Sequence, residues 1–184
     1  DDGPQSHLKK AGTPTMGGFF ILGSVLLTLF ICGNFASVPF LVTIFVTASY
    51  FALGFFDDYF KVLRKNTDGV SAKGKLLWQI VTGVIAGYVL VKTATIDTSI
   101  YFPFMKGPLL AGLSTPLFIA FVTLVIVGSS NAVNLTDGLD GLAIGPIITS
   151  AASLGLLAYA SGHVEIANYL FIPYVRESGE LLPI

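Results

Sequence analysis

Asp57 and Asp58 are adjacent carboxylates that directly follow an apolar run, Phe51-Ala-Leu-Gly-Phe-Phe56. Two such groups repel in a partly dehydrated setting, so one is raised in pKa or both are neutralised by a cation. Mg2+ suits that role, because it takes one or two carboxylates and completes its shell with phosphate oxygens and water. Lysines suit it too: Lys61, Arg64 and Lys65 follow at helical spacing, then Lys73 and Lys75. A second cluster, Asn131, Asn134, Asp137 and Asp140, recurs every three residues within Asn131-Ala-Val-Asn-Leu-Thr-Asp-Gly-Leu-Asp-Gly141. Its oxygens could converge on a ligand as a slowly rotating helical stripe or from a loop, for which Gly138 and Gly141 argue. Its amides could also hydrogen-bond a sugar or a nucleobase edge. Asp1-Asp2 form a third cluster, and Asp68 follows the first.

These seven carboxylates are most of the chain's 11 acidic residues, and each cluster borders a long charge-free stretch. Acids at a helix C-terminus oppose the dipole there. Polar groups at a membrane boundary are costly without partners. The pattern fits an enzyme that handles a metal-bound phosphate at a membrane surface.

The elements that must position these groups are membrane helices. The 184 residues have a mean hydropathy of +0.79, and 11% are charged, against about a quarter in soluble domains. No charge occurs from Ala11 to Phe56. Backbone groups in lipid must be satisfied within the segment, so helix is the default. An all-α, polytopic, single membrane domain over 1–184 is expected, with spans at about 18–33, 38–56, 76–91, 114–130 and 142–160. Ser114-Thr115-Pro116 suits the start of the fourth. Alternation of five spans puts Lys9, Lys10, Lys61, Arg64, Lys65, Lys73 and Lys75 on one side, against Lys92, Lys106 and Arg176 on the other. The positive-inside rule makes the first side cytoplasmic, and all three acidic clusters fall there. His163 falls on the far side, and His7 alone is a weak signal. Ile100-Tyr-Phe-Pro-Phe104 reads as an interfacial aromatic anchor. A net charge of −1 gives no pull toward nucleic acid, and the lone Cys32 excludes a disulfide framework.

Several stretches together resemble the phospho-N-acetylmuramoyl-pentapeptide-transferase (MraY translocase) family. They are Lys10-Ala-Gly-Thr-Pro-Thr-Met-Gly-Gly18, Gly54-Phe-Phe-Asp-Asp-Tyr-Phe-Lys61, Lys73-Gly-Lys75, Asn131-Ala-Val-Asn-Leu-Thr-Asp-Gly-Leu-Asp-Gly-Leu-Ala143 and Ile172-Pro-Tyr-Val-Arg-Glu-Ser-Gly-Glu180. The paired-Asp and Asn/Asp motifs are shared with the wider polyprenyl-phosphate N-acetylhexosamine-1-phosphate transferases. The resemblance implies Mg2+-dependent transfer of phospho-MurNAc-pentapeptide from UDP-MurNAc-pentapeptide to undecaprenyl phosphate, giving lipid I and UMP. It further implies the bacterial inner membrane, a cytoplasmic active site and a homodimer. By position, Asp57 and Asp58 become the catalytic pair and candidate metal ligands. Lys10, Thr15, Lys61, Lys73, Asn134, Asp137 and Asp140 become substrate-binding positions. The family has ten spans, and a later one carries a third, metal-associated aspartate. This chain therefore reads as a fragment.

Other readings remain. A transporter or channel module would place carboxylates mid-span, whereas these sit at span ends. A non-catalytic membrane scaffold would not need the Asp pair. Within the enzymes, the runner-up is a UDP-GlcNAc:polyprenyl-phosphate GlcNAc-1-phosphate transferase. The 184 residues alone are expected to be inactive, and lipid I formation by the purified segment would contradict that.

Overall fold

The computed structural model describes residues 17–64, 69–94, 96–102, 107–137, 141–176 and 178–181. Lys10, Thr15 and Asp140, named above, lie outside them, as do Asp1, Asp2 and Asp68. The helices are α1 (Gly17–Cys32), α2 (Val38–Arg64), α3 (Ala72–Thr93), α4 (Thr115–Thr136), α5 (Ile144–Gly162) and α6 (Val164–Leu170), with a 3-10 turn at Ser178–Leu181. Strands β1 (Ile100–Tyr101) and β2 (Pro108–Leu110) form an antiparallel ribbon between α3 and α4. The described residues are thus all-α apart from this ribbon. α2, α3, α4 and α5 are each long and apolar enough to cross a bilayer, and α1 is a shorter apolar helix. The chain is multi-pass.

α3 is the central element, packed between α2 and α4. Its contacts fix the register on both sides. Toward α2, Lys75 meets Asp57 and Thr82 meets Ser49. Toward α4, Gln79 meets Asn131, Gly83 meets Thr123 and Gly87 meets Ile119. Rising numbers on α3 match falling numbers on both neighbours, so both pairings are antiparallel. The C-terminal ends of α2 and α4 therefore share one end of the bundle with the N-terminus of α3.

Lipid offers no hydrophobic drive between helices, so small residues and interhelical hydrogen bonds supply the contact. Both devices appear on α3. The Ser49 and Thr82 hydroxyls are 2.7 Å apart, and Trp78 Nε1 donates to Ser49 Oγ at 2.9 Å. Gly83 and Gly87 let α4 approach: a Cβ on Gly83 would lie 3.1 Å from Thr123 Cα, and one on Gly87 would lie 3.3 Å from Ile119 Cα.

The helices differ from the expected spans mainly at the cleft end. α2 continues past the expected span bound near 56, through Asp57 to Arg64. Lys61 pairs about one turn back, three residues to Asp58 and four to Asp57, and Arg64 complements the dipole at the C-terminus. At ~1.5 Å per residue, α2 is about 40 Å long, against about 30 Å of hydrocarbon. Its last two turns thus extend past the apolar layer. α3 begins at Ala72 because Ser71 caps it, its side chain accepting from Gly74 N at 3.2 Å. α4 runs on to Thr136, which makes Asn131 and Asn134 helical. At the opposite end the segment read as an aromatic anchor contains β1, the first strand of the ribbon. Thr98 ties it to Leu113 through a side-chain and a backbone hydrogen bond, at 2.9 and 3.3 Å.

Gly83→Val should destabilise the α3–α4 pair by about 1–3 kcal/mol, as overpacking does. Gly128→Ala, where a Cβ meets nothing, should be neutral or slightly stabilising. Thermal unfolding in detergent compares the two.

Candidate active site

Asp57 is the buried anchor of the cleft end. Its Oδ2 accepts from Lys61 Nζ at 2.7 Å. Its Oδ1 accepts from Lys75 Nζ at 2.8 Å and from the backbone N–H of Val70 at 2.8 Å. α2, the loop before α3 and α3 itself therefore meet on one carboxylate. The loop comes so near that a Cβ on Gly69 would collide with the Asp57 carboxylate, so only glycine fits there. Burial pushes the Asp57 carboxyl up, but the hydrogen bonds from Lys61, Lys75 and Val70 outweigh it and hold the group at about 2. Lys61 is raised in turn, chiefly by its hydrogen bond to Asp57. Both lysine side chains are about two-fifths exposed, at 38% and 39%, and so remain within reach of a ligand.

Asp58 is set apart from its neighbour. Successive residues on a helix diverge by about 100°, and Asp58 turns toward α1. It lines a small cavity of about 130 Å3 with Gly18, Phe19, Tyr50, Phe51 and Phe55. Among the described residues its Oδ1 is bound by Lys61 at 3.3 Å, and its side chain is 49% exposed. The two aspartates thus share one lysine but face different spaces.

An open cleft of about 930 Å3 lies on the other side of Lys61. Lys61 and Arg64 of α2 form one wall, with Arg64 stacked 5.2 Å from the Phe60 ring centre. The floor is the capped start of α3, Gly69 to Ala72, with Lys75. Asn131 and Asn134 of α4 form the facing wall. Three cationic side chains and the positive end of a helix dipole converge there, which is an anion site by construction. Amides opposite can take hydroxyl or N–H groups.

Of the residues named from sequence, the structure gathers Lys61 and Asn134 at this cleft, with Asp57 bound to Lys61 and Lys75 beneath its lining and Asp58 behind Lys61. Lys73 is exposed and does not line the cleft; Lys75 does. Residues two positions apart on a helix point about 200° away from each other, so only one of the two lysines can face Asp57. Asp137 is exposed at the C-cap of α4. Lys75, Arg64, Gly69 and Asn131 complete the geometry. The signal for Lys75 is present in the sequence: Lys75, Gln79, Gly83 and Gly87 (every fourth residue) form the inward stripe of α3.

A Mg2+ site was expected at Asp57 and Asp58. Asp57 has both oxygens engaged, and among the described residues no three His, Cys, Asp or Glu side chains gather as a metal cage. Asp58 can offer one carboxylate. That donor set fits Mg2+ held largely by phosphate oxygens and water, and not a protein cage.

The sequence profile described as Glycosyl transferase family 4 matches residues 40–175. A shorter signature, phospho-N-acetylmuramoyl-pentapeptide-transferase signature 1, matches residues 10–22. The chain is 48% identical over 182 residues to the phospho-N-acetylmuramoyl-pentapeptide-transferase of Citrifermentans bemidjiense (strain ATCC BAA-1014 / DSM 16622 / JCM 12645 / Bem), covering 98% of this chain and 50% of that protein. The chain thus spans about half the length of the curated relative it matches.

Removing one lysine should release the Asp57 carboxyl: Lys75→Met raises its pKa from about 2 toward the ordinary ~3.9. The sign follows from linkage. A depressed folded-state pKa stabilises the protein above the unfolded value, and that contribution fades as pH falls toward 2. The infrared carboxylate band, titrated against an Asp57→Asn reference, checks the shift.

Proposed function

The chain belongs to glycosyl transferase family 4, and we propose that it forms the diphosphate-holding part of a phospho-N-acetylmuramoyl-pentapeptide-transferase. The observation that carries this is the cleft, where Lys61, Arg64, Lys75 and the start of α3 face Asn131 and Asn134. In this reading UDP-MurNAc-pentapeptide enters from the cytoplasm and lays its diphosphate against the cationic wall. Undecaprenyl phosphate arrives from the bilayer of the bacterial inner membrane. An oxygen of the lipid phosphate attacks the phosphorus attached to MurNAc. A new P–O bond forms, the bond to the bridging oxygen of UDP breaks, and UMP leaves with the added charge. Lysine ammoniums aimed at that charge stabilise it without reorganising.

The two aspartates take different parts. Asp57 holds Lys61 and Lys75 toward the cleft; with a pKa of about 2 it is too weak a base to take a proton near neutral pH. Asp58 is the carboxylate with an oxygen to offer, so it orients the lipid phosphate or holds Mg2+. Mg2+, when bound, would neutralise diphosphate charge. Lys10, Thr15, Lys73, Asp137 and Asp140 are proposed as further substrate contacts on motif likeness alone. A homodimer is proposed on the same ground.

The runner-up, transfer of GlcNAc-1-phosphate, shares the cleft chemistry. The signature at residues 10–22 favours the MurNAc-pentapeptide donor. Radiolabelled transfer in membranes carrying the intact protein decides both points. Lipid I should form from UDP-MurNAc-pentapeptide and not from competing UDP-GlcNAc, and Asp57→Asn and Asp58→Asn should each lower kcat by about 10²–10³-fold, the range for losing one transition-state stabiliser. Undiminished transfer in both variants would remove the catalytic role of the pair.

A further inference from the structure

We propose that Gln79 is a positioning residue that locks the Asn131 amide, so that Asn131 presents only its carbonyl oxygen to the cleft and takes a hydroxyl or imide N–H of the nucleotide sugar. This rests on the reading of the cleft as a nucleotide-sugar site.

The orientation of Asn131 is fixed by its partners. Its Nδ2 is 2.8 Å from the backbone carbonyl of Val127 and 2.8 Å from Gln79 Oε1. A backbone carbonyl can only accept, so the nitrogen must stand there and a flipped amide is excluded. With two acceptors at Nδ2, both N–H donors are used. What Asn131 has left for a ligand is Oδ1 with its lone pairs.

Gln79 is held as firmly. Its side chain is buried, with 8% of the residue exposed. Its Oε1 faces Asn131, so its Nε2 points to Ser130 Oγ at 3.5 Å. A buried amide is costly unless bonded. Gln79 also lies one turn beyond Lys75 on the inward stripe of α3. One helix face thus fixes the cation wall through Lys75 and Asp57, and the acceptor wall through Gln79 and Asn131.

The consequence is polarity across the cleft. Phosphate oxygens are acceptors and belong at Lys61, Arg64, Lys75 and the start of α3. A carbonyl oxygen repels them and needs a donor. The nucleotide sugar is thereby oriented, with its diphosphate toward α2 and α3 and a hydroxyl or imide group toward α4.

The test is steady-state transfer by the intact protein, varying each substrate at saturation of the other. Gln79→Met keeps the unbranched shape but removes the strong acceptor. It should raise KM for UDP-MurNAc-pentapeptide about tenfold and leave KM for undecaprenyl phosphate unchanged. Gln79→Glu keeps an oxygen for Asn131 Nδ2 and should stay within about twofold of the parent. Asn131→Leu should match Gln79→Met, and the double variant should be no worse than Asn131→Leu alone. An unchanged donor KM, an equal rise in both KM values, or additive losses would overturn the proposal. If the unsubstituted protein transfers no phospho-sugar, the functional reading fails by itself. The lock is then judged by the 15N side-chain amide signal of Asn131. Gln79→Met should shift it and speed its hydrogen exchange, and an unmoved signal would overturn the lock.

Discussion

One carboxylate organises the cleft end of this bundle. Asp57 accepts from Lys61 on its own helix, from Lys75 on α3 and from the Val70 amide in the connecting loop. Without it, Lys75 and a helix N-terminus would stand uncompensated, and Lys61 would keep Asp58 alone among the described residues. With it, they are held at fixed separation and still keep part of each lysine accessible. An exposed ion pair contributes little to stability. Asp57 is largely buried, and removing one partner of a buried pair strands the other charge. Its value here is positional: it sets where the cations stand before any anion arrives.

The packing beneath makes this possible. Gly83 and Gly87 bring α4 against α3, and the Ser49–Thr82–Trp78 hydrogen bonds pin α2 against its other side. Because α3 runs antiparallel to both neighbours, its N-terminus meets the two helix ends that carry Asp57 and Asn131. The cleft chemistry is thus a consequence of register. A shift of one turn would separate Lys75 from Asp57 and Gln79 from Asn131 together.

Much of this was legible in the sequence. Low charge and long apolar runs gave the helical membrane class, and the Asp pair and Asn repeat marked the cleft. What failed to show was direction. Reading Asp57 and Asp58 as an adjacent pair left them as one unit; on α2 they diverge by about 100°. The same rotation distinguishes Lys75 from Lys73, and the inward stripe of Gln79, Gly83 and Gly87 could have signalled it. The ribbon at Ile100–Tyr101 and Pro108–Leu110 was invisible because strands of two and three residues carry no periodicity. Lys10, Thr15 and Asp140 lie outside the described residues, so their place rests on motif likeness.

The central claim is that the cations held by Asp57 form the diphosphate site. Calorimetric titration of UDP into the intact protein, compared with Lys75→Met and with Lys92→Met at the opposite end of α3, tests it most directly. Loss of at least about tenfold in affinity with Lys75→Met, and little change with Lys92→Met, is the result this account predicts. Equal binding by Lys75→Met and the parent protein would contradict it.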